Sequence, residues 1–158
     1  MIKATVIGHR GTVERLRRVV PDVRAELRKA IERQSFKLAS KVKAQKLSGQ
    51  VLNVRTGRLR RSINHRIEEH GARIVGHVGT TVEYAKKHEF GLSSVVTVRE
   101  HLRKAKGGQS VTVRAHGQRV NLPERSFLRS ALAESLPDIR AALQQAAQEA
   151  AGRAFGRR

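Results

Sequence analysis

The sequence predicts an α+β protein, with a long N-terminal helix and a C-terminal helix packed on a small antiparallel sheet and a basic β-hairpin or loop projecting from it. Three observations predict this. Apolar residues recur at helical spacing from Asp22 to Leu47 and again from Glu124 to Ala151. Between those helices, Ser62 to Gly79 alternates apolar and polar residues around a tight turn. Beyond it, Val95 to Val120 sets two β-branched runs, VVTV and SVTV, around the basic, glycine-bearing stretch LRKAKGG. At 158 residues the chain is expected to form one domain, with 95–120 as an insertion and 152–158 as a basic tail.

Taken in order, Ile2, Ala4 and Val6 alternate with Lys3 and Thr5, a short strand ending at Gly8. Gly8-His9-Arg10-Gly11 has the Gly-x-x-Gly spacing by which KH domains clamp a nucleic-acid backbone. In that module the loop joins two helices; here a strand precedes it, which favours a plain strand-to-helix turn. The pattern turns helical from Thr12, and Pro21 suits a first helical turn. Val23, Leu27, Ile31, Leu38 and Val42 then share one face of a helix of about seven turns, which Ser48-Gly49 ends.

Gln50 to Arg55 is an extended connector, and RTGRLRRSI a brief basic turn. Strands Ser62–Glu69 and Ala72–Gly79 meet at His70-Gly71, with Ile63, His65 and Ile67 facing Ile74, Gly76 and Val78. Pro123 stops the last extended run. The C-terminal stripe is Leu128, Leu132, Ile139, Leu143, Ala146 and Ala150, with a kink or restart expected at Pro137. PDVRAELRKA and PDIRAALQQA resemble each other while their flanks do not. They are two helix starts that place Pro and Asp at the positive dipole end, not an internal repeat.

Composition limits the function classes. The net charge of +20, from 33 Lys and Arg against 13 Asp and Glu, implies a polyanionic neighbour, either nucleic acid or an acidic protein surface. A membrane fits poorly, because no apolar run approaches the roughly 20 residues of a spanning helix, and MIKATVIGHRG has no signal-peptide segment; the expectation is a soluble cytoplasmic product. Aromatics make up 3% of the residues, so the core is thin and association in a larger assembly is expected. The absence of cysteine excludes disulfides, thiolate metal sites and cysteine nucleophiles.

No catalytic constellation stands out. None of the histidines forms the helical pair with an intervening Glu that a zinc site needs, and no Gly-x-Ser-x-Gly elbow exists. His88 beside Glu89 could act as an acid–base pair only under a substrate cleft. No catalytic residue, metal or cofactor is therefore expected. The few aromatics cannot form a stacking platform, which leaves sequence-blind attraction to phosphate as the nucleic-acid reading.

TGRLRRSI (Thr56 to Ile63), VGTTVEYAKKHEFG (Val78 to Gly91) and LPERSFLRSALAE (Leu122 to Glu134) stand in that order. Together they resemble the sequence blocks of small tailed-phage morphogenesis proteins: neck, minor tail and tail-completion components, with the virion-morphogenesis proteins of Mu-like phages similar. Lys86, Lys87 and His88 make the second block more basic than the family pattern, and Glu124-Arg125-Ser126 replaces its Ala-Arg-Pro.

The resemblance implies a non-enzymatic virion protein at the neck or top of the tail, assembled from the host cytoplasm as a ring, expected to be sixfold, that adjoins other neck and tail proteins. Thr56, Gly57, Leu59, Tyr84, Glu89, Phe90, Gly91, Phe127 and Leu128 are its motif or subunit-contact residues, with Tyr84 and Phe90 in a short turn or helix and Phe127-Leu128 packed on the sheet. Arg58, Arg60, Arg61, Arg99, Arg103, Lys104, Lys106 and Arg114 are the cations expected to face a partner or packaged DNA. The alternative is a basic nucleic-acid-binding module without sequence specificity.

Overall fold

The computed structural model describes residues 9–71, 73–105 and 107–156, with side chains between 20 and 153. The strand expected at Ile2–Val6 and the side chain of Lys106 lie outside the described residues.

Helix α1 spans His9–Lys41 and runs through Pro21 without a break. This corrects two expectations: His9 to Gly11 are already helical, so no strand-to-helix turn forms there, and Pro21 does not begin a helix. Proline removes only one rung of the ladder, and the helical residues on both sides carry α1 through it. A π-helical continuation, Val42–Gln50, loses helical dihedrals at Leu47, Ser48 and Gly49, where the sequence places the stop.

The basic RTGRLRRSI turn contains a short helix, α2 (Arg58–Ser62). Strands β1 (Asn64–His70) and β2 (Arg73–Gly79) pair antiparallel, with His65 opposite Val78 and Ile67 opposite Gly76; the shared face is the one the alternation predicts, while the expected turn would have set Ile67 opposite Ile74. His70 pairs with Arg73, so His70 belongs to the strand and not to the turn expected at His70-Gly71. Helix α3 (Ala85–Phe90) follows, the short helix expected around Tyr84 and Phe90.

The expected projection is a two-tier arm. Strand β3 (Leu92–Val98) pairs with β6 (His116–Leu122), and β4 (His101–Lys104) with β5 (Ser110–Val113), each pair antiparallel. VVTV and SVTV therefore do not face each other: Val95 lies opposite Arg119 and Val111 opposite Arg103. The turn sets this register, because Ala105 N–H donates to Gln109 O at 2.8 Å and leaves Lys104 facing Ser110.

Helix α4 spans Leu128–Gly156. It starts later than Glu124 because Pro123 to Phe127 form its entry, it passes through Pro137 without restarting, and it takes in 152–156, expected as tail. The helices α1 and α4 run antiparallel: Arg153 meets Glu26 at 3.5 Å, and Lys41 and Lys46 meet Glu134 at 3.1 and 2.5 Å. The two Pro-Asp stretches thus both lie inside helices, not at their starts.

The core is small, as the composition implies. Val42, Ile63 and Phe127 are fully buried among Ala39, Leu47, Leu52, Ala85 and Ala131. Alanines at these positions let the helices approach closely, at the expense of apolar area. Close approach also governs the sheet: a Cβ on Gly76 would fall on Ser35 Oγ and 3.0 Å from Ile31 Cγ2, so only glycine lets β2 lie this near α1. Gly76→Val is expected to destabilise the fold by about 1–3 kcal/mol, read as an earlier urea midpoint, and Ser35→Gly in the same chain to restore part of it.

Candidate functional site

The motif residues converge on one clasp. Glu89, 4% exposed, stands at the end of α3 and points at the start of α4. Its carboxylate accepts from the backbone N–H groups of Phe127 (2.8 Å), Leu128 (2.9 Å) and Arg129 (2.8 Å) and from Ser126 Oγ (2.9 Å). These amides are the orphan donors of a helix start, so a side chain from elsewhere in the chain does the work of an N-cap and places its charge at the positive dipole end. Burial by itself pushes the Glu89 carboxyl up; the hydrogen bonds from Leu128, Arg129, Phe127 and Ser126 outweigh it and hold the group below the ordinary glutamate range.

The neighbouring motif positions close the same joint. Arg125 N–H donates to His88 O at 2.7 Å. Gly91, at φ +73° and ψ 173°, turns the chain from α3 into the arm, and a Cβ there would sit 3.0 Å from Leu122 O and 3.1 Å from Glu124 N. Arg129 lies over the Phe90 ring at 4.6 Å from its centroid and donates to Glu89 O at 3.0 Å. The first motif block joins through Ser62 and Thr80, whose hydroxyls are 2.6 Å apart, and through Ile63, buried against Ala85 and Phe127.

The motif residues therefore divide. Glu89, Gly91 and Phe127 are consumed within the chain; Leu59 and Leu128 pack half-buried on the core. Thr56 organises the start of α2, its carbonyl accepting from Arg61 at 3.2 Å, beside Gly57. Tyr84 and Phe90 remain exposed, at 37% and 60%. Sequence reasoning missed Ser62, Thr80 and Ser126; their hydroxyls inside the quoted blocks were the available signal.

The cations divide too. Arg24 and Arg28 share Glu69 at 2.8 and 2.7 Å, and Lys46 and Lys41 hold the Glu134 carboxyl below its usual range. Arg58, Arg60 and Arg61 are exposed on α2, and Arg99, Arg103, Lys104 and Arg114 are exposed along the arm. None of these meets a carboxylate among the described residues. The arm also leaves apolar side chains in solvent: Val95 (68%), Leu102 (71%) and Val111 (51%).

A second uncompensated group lines a cleft beside α2. Arg55, Arg58, Arg60 and Arg125 surround it, none of its lining residues is acidic, and Leu52 and Leu59 form its floor. Among the described residues, no cluster of His, Asp and Glu is placed to hold a metal ion, and no helix is long and apolar enough to cross a membrane.

The family model described as the phage virion morphogenesis family matches residues 25–152, from within α1 to the end portion of α4, and so includes the clasp and the arm. The chain belongs to the phage virion morphogenesis family. As a virion morphogenesis protein it has a structural role in the phage particle. No curated protein and no solved structure gives a significant match.

In this family member the clasp is the feature most exposed to test. Glu89→Ala strands buried amides and is expected to cost about 2–4 kcal/mol, whereas Glu69→Ala removes only exposed pairs and costs less than about 1 kcal/mol; urea unfolding measures both. Because the folded Glu89 titrates below its ordinary value, its contribution is complete above the ordinary glutamate range and is lost as pH falls through the folded value. Acid unfolding of Glu89→Gln should therefore show a shallower pH dependence than the wild type.

Proposed function

We propose that the protein is a structural, non-enzymatic subunit of the phage head–tail junction, which completes the tail or joins it to the head as one member of a ring. The observation that carries this reading is the arm. A two-stranded ribbon alone in water is marginal, and this one exposes Val95, Leu102 and Val111 between unpaired cations. Such a surface suits a groove on a neighbouring subunit or adjoining neck or tail protein, with Arg99, Arg103, Lys104 and Arg114 choosing an acidic or phosphate-bearing contact.

In a ring, each copy repeats the same cations, and sixfold order is the expectation for a phage tail. Tyr84 and Phe90, left in solvent by the clasp, are further contact candidates. The charge also supports a second reading, a sequence-blind nucleic-acid-binding module. Tight duplex binding by the isolated protein at physiological salt would favour it, while weak binding that vanishes as salt rises fits occasional contact with packaged DNA.

Interrupting the gene in its parent genome and imaging the particles by electron microscopy tests the junction reading. Separate DNA-filled heads and tails, or tails of abnormal length, are expected; normal infectious particles would overturn it. Replacing Arg103 and Lys104 together with Ala should lower particle assembly most at low ionic strength and flatten its dependence on salt. Unchanged yield across the salt series would remove the arm from the contact.

A further inference from the structure

We propose that the cleft beside α2 binds a short peptide segment of another protein, one that carries carboxylates next to an apolar side chain. The cleft, of about 550 Å³, lies between the connector that precedes α2, the exposed side of α3 and the entry to α4. That size suits a few side chains.

Its floor and rim call for two chemistries at once. Leu52 is buried and Leu59 half-buried at the floor, and Val54 remains 47% exposed beside them. Around that apolar patch stand Arg55, Arg58, Arg60 and Arg125, all exposed and none ion-paired among the described residues. Elsewhere the chain spends its few acids on its cations: Glu69, Glu134, Glu89 and Glu124 each hold an arginine or lysine. Here none is present, so the guanidinium groups keep their capacity for bidentate carboxylate pairing. Tyr84 forms one wall, with His88 edge-on to its ring at a centroid distance of 6.0 Å. A half-exposed tyrosine that lines a cleft, apolar in body and polar at its tip, is a common anchor for a peptide.

The occupant is a peptide and not nucleic acid because the floor is apolar and recessed. A duplex presents phosphate rails with no apolar surface to cover Val54, and a single strand needs successive aromatic faces where this cleft has one. A second copy of this chain is a poor occupant of this cleft, because its carboxylates Glu69, Glu134, Glu89 and Glu124 are already committed to its own cations. The site stands apart from the head–tail reading: it concerns the isolated protein in solution and holds or fails whatever the particles look like.

Fluorescence anisotropy on the full-length protein tests it, with a labelled peptide of alternating Glu and Leu, a poly-Glu peptide of equal charge, and a short DNA duplex as competitor. The Glu–Leu peptide is expected to bind about tenfold more tightly than poly-Glu. Arg55→Ala with Arg125→Ala should weaken it about tenfold, and Val54→Ser should weaken the Glu–Leu peptide while leaving poly-Glu unchanged. Removing the same charge from α1 by Arg33→Ala with Lys37→Ala should leave Glu–Leu binding within about twofold. All these side chains are exposed, so equal melting temperatures verify that the variants fold. Equal affinity for the two peptides, equal losses in the cleft and α1 variants, or displacement of the peptide by duplex with the same cleft dependence would each overturn the proposal.

Discussion

The carboxylate of Glu89 is the constraint on which the remaining architecture depends. It ties the end of α3 to the start of α4, and α4 is what covers α1 and completes the core. With so little aromatic and branched apolar mass available, the fold relies on a buried charge satisfied by helix amides to fix an angle that a larger core would fix by packing. The arm leaves the body next to this joint, since Gly91 reverses the chain immediately after Glu89 and Leu122 returns beside it. The direction of the arm is thus set by the same few residues that hold the helices together.

The distribution of acids gives the surface its second organising rule. With 13 Asp and Glu for 33 Lys and Arg, ion pairs can neutralise only part of the protein. Glu26, Glu69 and Glu134 sit along α1 and its neighbours, where they link α1 to α4 and to β1. The arm and the α2 cleft receive none of this compensation among the described residues. Charge is therefore paired where helices pack and left without ion pairs on the arm and around the cleft, the two surfaces proposed to meet partners.

Periodicity made both long helices and the hairpin legible, including which residues of each strand share a face though not their partners, because burial on one face writes its period directly into the sequence. The boundaries were less legible. Pro21 and Pro137 read as starts or breaks, yet each sits inside a helix, since a local preference worth one hydrogen bond yields to the helical residues on both sides of it. The arm's register escaped as well: VVTV and SVTV are alike in composition, and only the turn at Ala105 to Gln109 decides what each faces. As for the site, the blocks were visible, but Glu89 as a cap was not, because its partners lie some forty positions away and nothing local marks a carboxylate as belonging to another helix.

The antiparallel pairing of α1 with α4 has a kinetic meaning. Contacts such as Lys46 with Glu134, 88 positions apart, join an earlier-made part of the chain to a much later one. The β1–β2 hairpin can form from neighbouring residues and cover part of the α1 stripe, but the part that faces α4 must wait for residues far along the chain. Glu89 waits in the same way, a carboxylate with no amides to cap. A chain cut short before Leu128 would lack the helix that covers α1 and would leave the Glu89 carboxylate without the amides it caps.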